Sequence, residues 1–246
     1  MTVFDLLLLL VVAGFFAGLI GFVTGLASIV SYPALLAVGL SPVAANVTNT
    51  VAMVGVGVGA LSNSAREVVD TGPRVWRWTA YAAIGGVAGA VVLLAAPDGS
   101  FEAIVPYLVV LAALALLFQP RIRALAGDRD LPRTFSAAVF VVAVYGGYFG
   151  AGAGVIFLAL ILVCSSESIW RASILKSYLL GVANLVAAIG FAAFGPVHWP
   201  AAVAMAIGTA AGGWCGPPVV RRIPAGVLRI GVAIAGFGLA AWLAVR

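Results

Sequence analysis

"GGYFGAGAGVIF", Gly146–Phe157, lies inside a stretch apolar enough to suit a lipid bilayer, yet five of its twelve residues are glycine. Glycine is the non-proline residue least suited to a helix interior, because it loses the most backbone freedom on ordering. A weaker version, "GLIGFVTGLASI", runs from Gly18 to Ile29. Two such interruptions, at matching places in the two halves of the chain, set the terms for reading everything around them.

The 246 residues are 64% hydrophobic and only 9% charged, with a mean hydropathy of +1.19. A soluble domain has roughly 25% charged residues, so this composition excludes an ordinary water-soluble fold. Apolar segments fall at 3–20, 24–39, 43–63, 76–96, 101–118, 134–149, 153–164, 170–194, 199–217 and 227–245. Several reach the roughly 20 residues that cross a bilayer as a helix. The runs are continuous and do not alternate, which favours helices over a transmembrane barrel. The expectation is an all-α polytopic membrane protein with eight to ten hydrophobic segments. The pairs 3–20/24–39 and 134–149/153–164 read either as two short helices each or as re-entrant hairpins.

The net charge of +5 and pI near 9.7 do not indicate a nucleic-acid partner, because the arginines sit in loops between apolar spans. One loop holds Arg66, Arg74 and Arg77, a second Arg121, Arg123, Arg129 and Arg133, and a third Arg221, Arg222 and Arg229. Basic residues concentrate in cytoplasmic loops, so these three are assigned to the cytoplasm. "PDGSFE" at 97–102 and "FGPVHW" at 194–199 have no Lys or Arg and fall outside. Counting segments from these loops places both the N-terminus and the C-terminus outside. The first half then enters its glycine-marked pair from outside and the second half from the cytoplasm.

The two halves also align in order. Gly18, Gly21 and Gly25 face Gly147, Gly150 and Gly154; "ANVTNT" at 45–50 faces "ASILKS" at 172–177. "GPRVW" at 72–76 faces "GPVHW" at 195–199, and "GGVAGA" at 85–90 faces "GTAAGG" at 208–213. The organisation expected is a first repeat at 1–120, a cytoplasmic linker at 121–133 and a second, inverted repeat at 134–246. Inverted repeats with interrupted helices are a layout of secondary transporters. A half-helix start exposes N–H groups and a partial positive charge, and so suits an anion. The expectation is that half-helix starts at Gly21–Gly25 and Gly150–Gly154, including Gly152, supply these donors.

At these residues the chain resembles the sulfite exporter TauE/SafE family, also called the toluene sulfonate uptake permease group. The resemblance spans almost the whole chain. It rests on the two glycine motifs, on Pro33, on the "GPxxW"-like turns and on the closing "GGWCGPPVVRRIPAGVLRIGVAIAGFGLAAWL". The first glycine motif departs from the family, with Phe22, Val23 and Thr24 where relatives tend to have glycines. The resemblance implies a bacterial inner-membrane carrier of sulfur-containing anions such as sulfite, sulfonates or sulfoacetate-like compounds.

Polar residues within apolar spans are the remaining candidates. Asn46, Thr48, Asn49 and Thr50 cluster in the third segment, with Asn46 and Thr50 one i,i+4 step apart; interhelical hydrogen bonding is the competing role. Lys176 is the single lysine and aligns with Asn49, which makes it either the counter-charge for an anion or a residue snorkelling to the interface. Thr24 and Ser177 are expected to add contacts, and Asn184 either lines the path or bridges helices. Arg171, beside Glu167, reads as an edge anchor or ion-pair partner. Trp76, Trp78, Trp170 and Trp199 stand at segment ends, as an interfacial aromatic belt requires.

His198 and the separated Cys164 and Cys215 have no metal-ligand spacing, so no metal is expected. "GVGVG" at 55–59 lacks the strand–turn–helix context of a dinucleotide loop, and no cofactor is expected. No catalytic constellation is present, which argues against an enzyme. A passive anion channel or an accessory membrane subunit remain the alternatives to a carrier. No acid is placed deep in a span, and oligomeric state is not legible.

Overall fold

The computed structural model describes residues 3–62, 64–124, 132–165 and 167–220, and among these it is helical with no strand. In chain order the helices are α1 (Val3–Thr24), α2 (Ala27–Ala37), α3 (Pro42–Ser62), α4 (Ala65–Val69) and α5 (Arg74–Leu94). There follow α6 (Ser100–Ala124), α7 (Pro132–Tyr148), α8 (Ala153–Cys164), α9 (Ile169–Phe194) and α10 (Trp199–Val220). The segment expected at 227–245, with Arg129, Arg221, Arg222 and Arg229, lies outside the described residues. The ends of the expected linker 121–133 are helical, since α6 continues to Ala124 and α7 starts at Pro132.

Four described helices are long and apolar enough to cross a bilayer: Val3–Phe22, Pro42–Ser62, Arg74–Leu94 and Trp170–Phe194. Their outward faces are apolar rather than charged. Ile84 is 60% exposed and Ile189 63% exposed, a surface suited to lipid and unsuited to water. The three arginines of the first basic loop, Arg66, Arg74 and Arg77, are exposed at helix ends. Trp76 and Trp199 are exposed there too, 69% and 51%. Trp78 departs from the belt expectation. It is buried, with its ring 4.6 Å from that of Phe135, because it faces α7 across the bundle.

Both glycine-marked pairs are broken helices. The first is a 22-residue α1 followed by an 11-residue α2, so at 1.5 Å per residue it joins a helix of about 33 Å to one of about 16 Å. Gly25 (φ +84°) makes the break. The second is the 17-residue α7 followed by the 12-residue α8, with Gly150 (φ +76°) and Gly152 (φ +77°) between them. Side chains rarely adopt these left-handed values, which is why the breaks are written in glycine. Tyr145 ties down the second break, its hydroxyl donating to the Ala151 carbonyl at 2.6 Å.

Small residues allow the helices to approach closely, as membrane packing favours. Gly14 and Gly18 of α1 lie against Met205 and Thr209 of α10, while Gly208 and Gly212 of α10 lie against Val11 and Phe15 of α1. Gly85 and Gly89 of α5 lie against Phe140 and Val144 of α7, and Gly147 lies against Gly86. Helix α3 packs on α10 and α9, and α5 packs on α9. The two broken pairs meet at the centre, where a methyl at Gly154 would stand 2.6 Å from Gly25 Cα. A large core gathers Tyr32, Phe101, Phe149 and Phe191, and a second gathers Trp78, Phe135, Phe157 and Leu179.

Candidate functional site

A small cavity of about 40 Å³ lies where the breaks meet the long helices α3 and α9. Its floor is backbone: Gly21 and Gly25 from the first break, Phe149 and Gly150 from the second. Its walls come from one face of α3 and one face of α9. Asn49, Thr50, Met53 and Gly57 on α3 are matched, at a constant spacing along the chain, by Lys176, Ser177, Leu180 and Asn184 on α9. The three- and four-residue steps within each set keep those side chains on one helix face.

Lys176 dominates the electrostatics. It is 1% exposed, and its Nζ donates to the carbonyls of Gly21 (2.9 Å) and Phe22 (2.8 Å). The same Nζ stands 5.8 Å from the centre of the Phe22 ring, a cation–π arrangement. These carbonyls belong to the last turn of α1, the end with partial negative charge, so they hold an ammonium favourably. An ammonium has three donors, and the two carbonyls use two of them. No aspartate or glutamate lines the cavity among the described residues, so no carboxylate there balances the charge. The lysine is not snorkelling to an interface: it is enclosed.

The polar residues around it are organised. Asn49 Nδ2 donates to Ser28 Oγ at 3.1 Å, and Ser31 Oγ donates to Asn49 Oδ1 at 2.5 Å. These bonds pin the first turns of α2 to α3 and leave Ser28, with Ala27, facing the cavity at a half-helix start. Thr50 Oγ1 and Ser177 Oγ donate back within their own helices, to Asn46 O and Ser173 O. Asn184 lines the far wall and is 7% exposed.

The expected site residues divide accordingly. Gly21, Gly25, Asn49, Gly150, Lys176, Ser177 and Asn184 converge on the cavity. Thr24, Asn46, Gly152 and Gly154 do not line it. Thr24 donates to Ile20 O within α1, and Asn46 Nδ2 donates to the Tyr148 carbonyl at 2.8 Å, bridging α3 to the end of α7. Gly152 is the N-cap of α8, and Gly154 is occupied by its contact with Gly25. The polarity expected of the first break also needs correction. Gly21 and Thr24 belong to the carbonyl end of α1, and the half-helix start lies beyond Gly25, at Ala27. Missed altogether were Ser28 and Ser31, whose signal was their i,i+3 spacing in an otherwise apolar helix. Arg171 stands apart from the cavity, paired with Glu167 at 3.1 Å. Thr48 accepts from the His198 backbone N–H at 3.0 Å, a structural role.

Among the described residues no cluster of three or more His, Cys, Asp or Glu is placed to hold a metal. No solved structure matches the chain. Curated relatives do. A probable membrane transporter protein, ORF9, from Sinorhizobium sp. is 27% identical over 96% of this chain and 92% of its own length. One from Haemophilus influenzae is 26% identical over 96% and 94%. The probable membrane transporter protein YfcA of Escherichia coli is 28% identical over 87% and 81%. The family model described as sulfite exporter TauE/SafE matches residues 8–243. With a multi-helix apolar body, two broken helices and nearly full-length kinship to membrane transporter proteins, the chain belongs to the sulfite exporter TauE/SafE family.

Proposed function

We propose that the protein is a secondary transporter of a small sulfur-containing anion, such as sulfite, a sulfonate or a sulfoacetate-like compound, in the bacterial inner membrane. One observation supports this most directly. Lys176 is fully enclosed in a membrane-embedded cavity that has no acidic lining residue among those described. An unbalanced charge in such a place is costly, and an anion in the cavity relieves that cost. The third ammonium donor, the Asn49 amide and the α2 start at Ala27–Ser28 are the groups that would meet its oxygens. Met53, Val56, Phe149 and Leu180 supply an apolar wall for a substituent. The substrate class comes from the family description and is not read from the cavity's shape.

We further read the two halves as inverted repeats that rock against each other to alternate access, with both termini outside. In support, the packing pairs exchange with the halves: α1 on α10 has its counterpart in α7 on α5, and α3 on α10 in α9 on α5. The aligned residues follow. Gly18 abuts Thr209 and Gly147 abuts Gly86, and Gly86 aligns with Thr209. An anion that draws Lys176 away from Gly21 and Phe22 frees the end of α1, which couples occupancy to movement of the first break.

The test is transport by purified protein in liposomes. Saturable counterflow of radiolabelled sulfite or a short alkanesulfonate is the expected result. Uptake no greater than in empty vesicles contradicts the reading, and a linear, voltage-driven conductance replaces the carrier with a channel.

A further inference from the structure

The hydrogen bonds of Lys176 are ones that an uncharged amine can make. Its Nζ donates to the carbonyls of Gly21 at 2.9 Å and Phe22 at 2.8 Å. A neutral amine has two N–H hydrogens and a lone pair, so these two bonds satisfy it. The third hydrogen of an ammonium has no acceptor among the described residues. Nor does any described side chain around it supply a counter-charge. Helices α1 and α2 present glycine, alanine, serine and the Phe22 ring, α3 presents Asn49, Thr50 and apolar residues, and the second break presents Phe149 and Gly150. Among the described side chains, the remaining titratable groups of the helices around α9 are the arginines of α4 and α5, the tyrosines of α2, α5 and α7, Asp5, Glu67 and Cys164. None of these lines the cavity. On α9 itself, Arg171 pairs with Glu167 and Tyr178 bonds to Thr79.

A charge buried without a partner is so costly that an ionisable group sheds it instead. The carbonyl end of α1 and the Phe22 ring lessen that cost, but partial charges do not cancel a whole one. The cavity, about 40 Å³, has room for a few waters at most and so offers no hydration shell in place of a partner. We infer that Lys176 is the proton carrier of the protein. It stands as a neutral amine in the empty cavity, takes one proton on its lone pair when the anion enters, and returns it when the anion leaves. The added N–H is the donor that the two carbonyls leave free for the anion. Ammonium and a singly charged anion make a neutral pair, so each cycle moves one proton with one anion, in the same direction and with no net charge. A lysine thus serves where the apolar spans place no acid. The inference deepens the transporter reading and rests on it.

The test is isothermal titration of purified full-length protein in detergent with methanesulfonate and with sulfoacetate, whose own charges are constant across about pH 6–9. Each titration is repeated in buffers of different ionisation enthalpy, which counts the protons bound with the anion. The expected result is an uptake that approaches one proton per anion toward high pH, with Kd rising there by about tenfold per pH unit. Lys176→Arg keeps its charge at every pH, so its uptake should vanish and its Kd should stay level. Anion binding by the wild type without proton uptake anywhere in the range overturns the inference and leaves the transporter reading standing. Uptake of equal size in Lys176→Arg also overturns it, because the proton then lands elsewhere. If Lys176→Arg does not fold, wild-type protein in liposomes decides. Methanesulfonate uptake driven by an inside-alkaline pH gradient supports the inference, and uptake indifferent to the gradient overturns it. Absence of saturable binding by either anion is a separate outcome, which removes the transporter reading and the inference with it.

Discussion

Lys176 and Gly21 are 155 residues apart in the chain, yet the lysine Nζ donates to the glycine carbonyl at 2.9 Å. The contact joins α9 to the broken end of α1 through the only side-chain cation in the cavity wall among the described residues. An anion and the α1 carbonyls therefore compete for one ammonium. Phe22, whose carbonyl is the second partner, also has its ring 6.1 Å from that of Trp170.

That arrangement gives an optical readout. Withdrawal of Lys176 toward a bound anion shifts Phe22 and changes the environment of Trp170. A saturable, anion-dependent change in tryptophan emission is expected for the wild type and is expected to vanish in Trp170→Phe. A change of equal size in Trp170→Phe would place the movement elsewhere.

The crossing of the two breaks is expected to be intolerant of side chains. Gly25→Ala adds a methyl into the Gly154 backbone at a left-handed φ of +84°, so both collision and strain oppose it. Strain alone is worth about 1–3 kcal/mol, and the collision adds to that. Gly39 has a similar φ of +95° but open space around it, so Gly39→Ala isolates the strain. Thermal melts should rank Gly25→Ala as clearly the more damaging. Equal losses would remove the close crossing from the account.

Asn49 holds α2 through Ser28 and Ser31 while facing the cavity. Asn49→Asp keeps an acceptor for Ser31 but puts a negative charge opposite Lys176. Anion affinity is expected to fall at least as far as on loss of one charge-assisted contact, roughly tenfold or more. Isothermal titration with a sulfonate checks it, and an unchanged Kd would detach Asn49 from the site.

Thr209 is fully buried on α10 and donates to the Ala52 carbonyl of α3 at 2.8 Å. Hydrogen bonds between membrane helices are worth about 0.6–1.7 kcal/mol, so Thr209→Val should lower stability by about 1 kcal/mol. Anion affinity should be unchanged, because Thr209 does not line the cavity.

Much of this was legible in the sequence, for physical reasons. Apolar runs of span length announce membrane helices whatever their partners, and glycine clusters mark where such helices break. Lys176 stood out because a lone lysine inside an apolar span needs a reason. What the pattern could not convey was polarity at the break. Gly21 and Gly25 show where the helix stops, but only backbone geometry shows that Gly21 offers a carbonyl and that the N–H end begins at Ala27. Long-range partners were equally hidden. Asn46 looked like a neighbour of Asn49 but reaches Tyr148. Trp78 shared its local context with Trp76, yet one faces α7 and the other lies on the surface.

The most direct measurement is the Kd of sulfite and of a short alkanesulfonate for wild type and for Lys176→Met, both shown to be folded by circular dichroism and thermal melting. Loss of one charge-assisted contact predicts a Kd raised about 10- to 150-fold in Lys176→Met. An unchanged Kd would contradict the account, because the enclosed ammonium would then have no part in holding the anion.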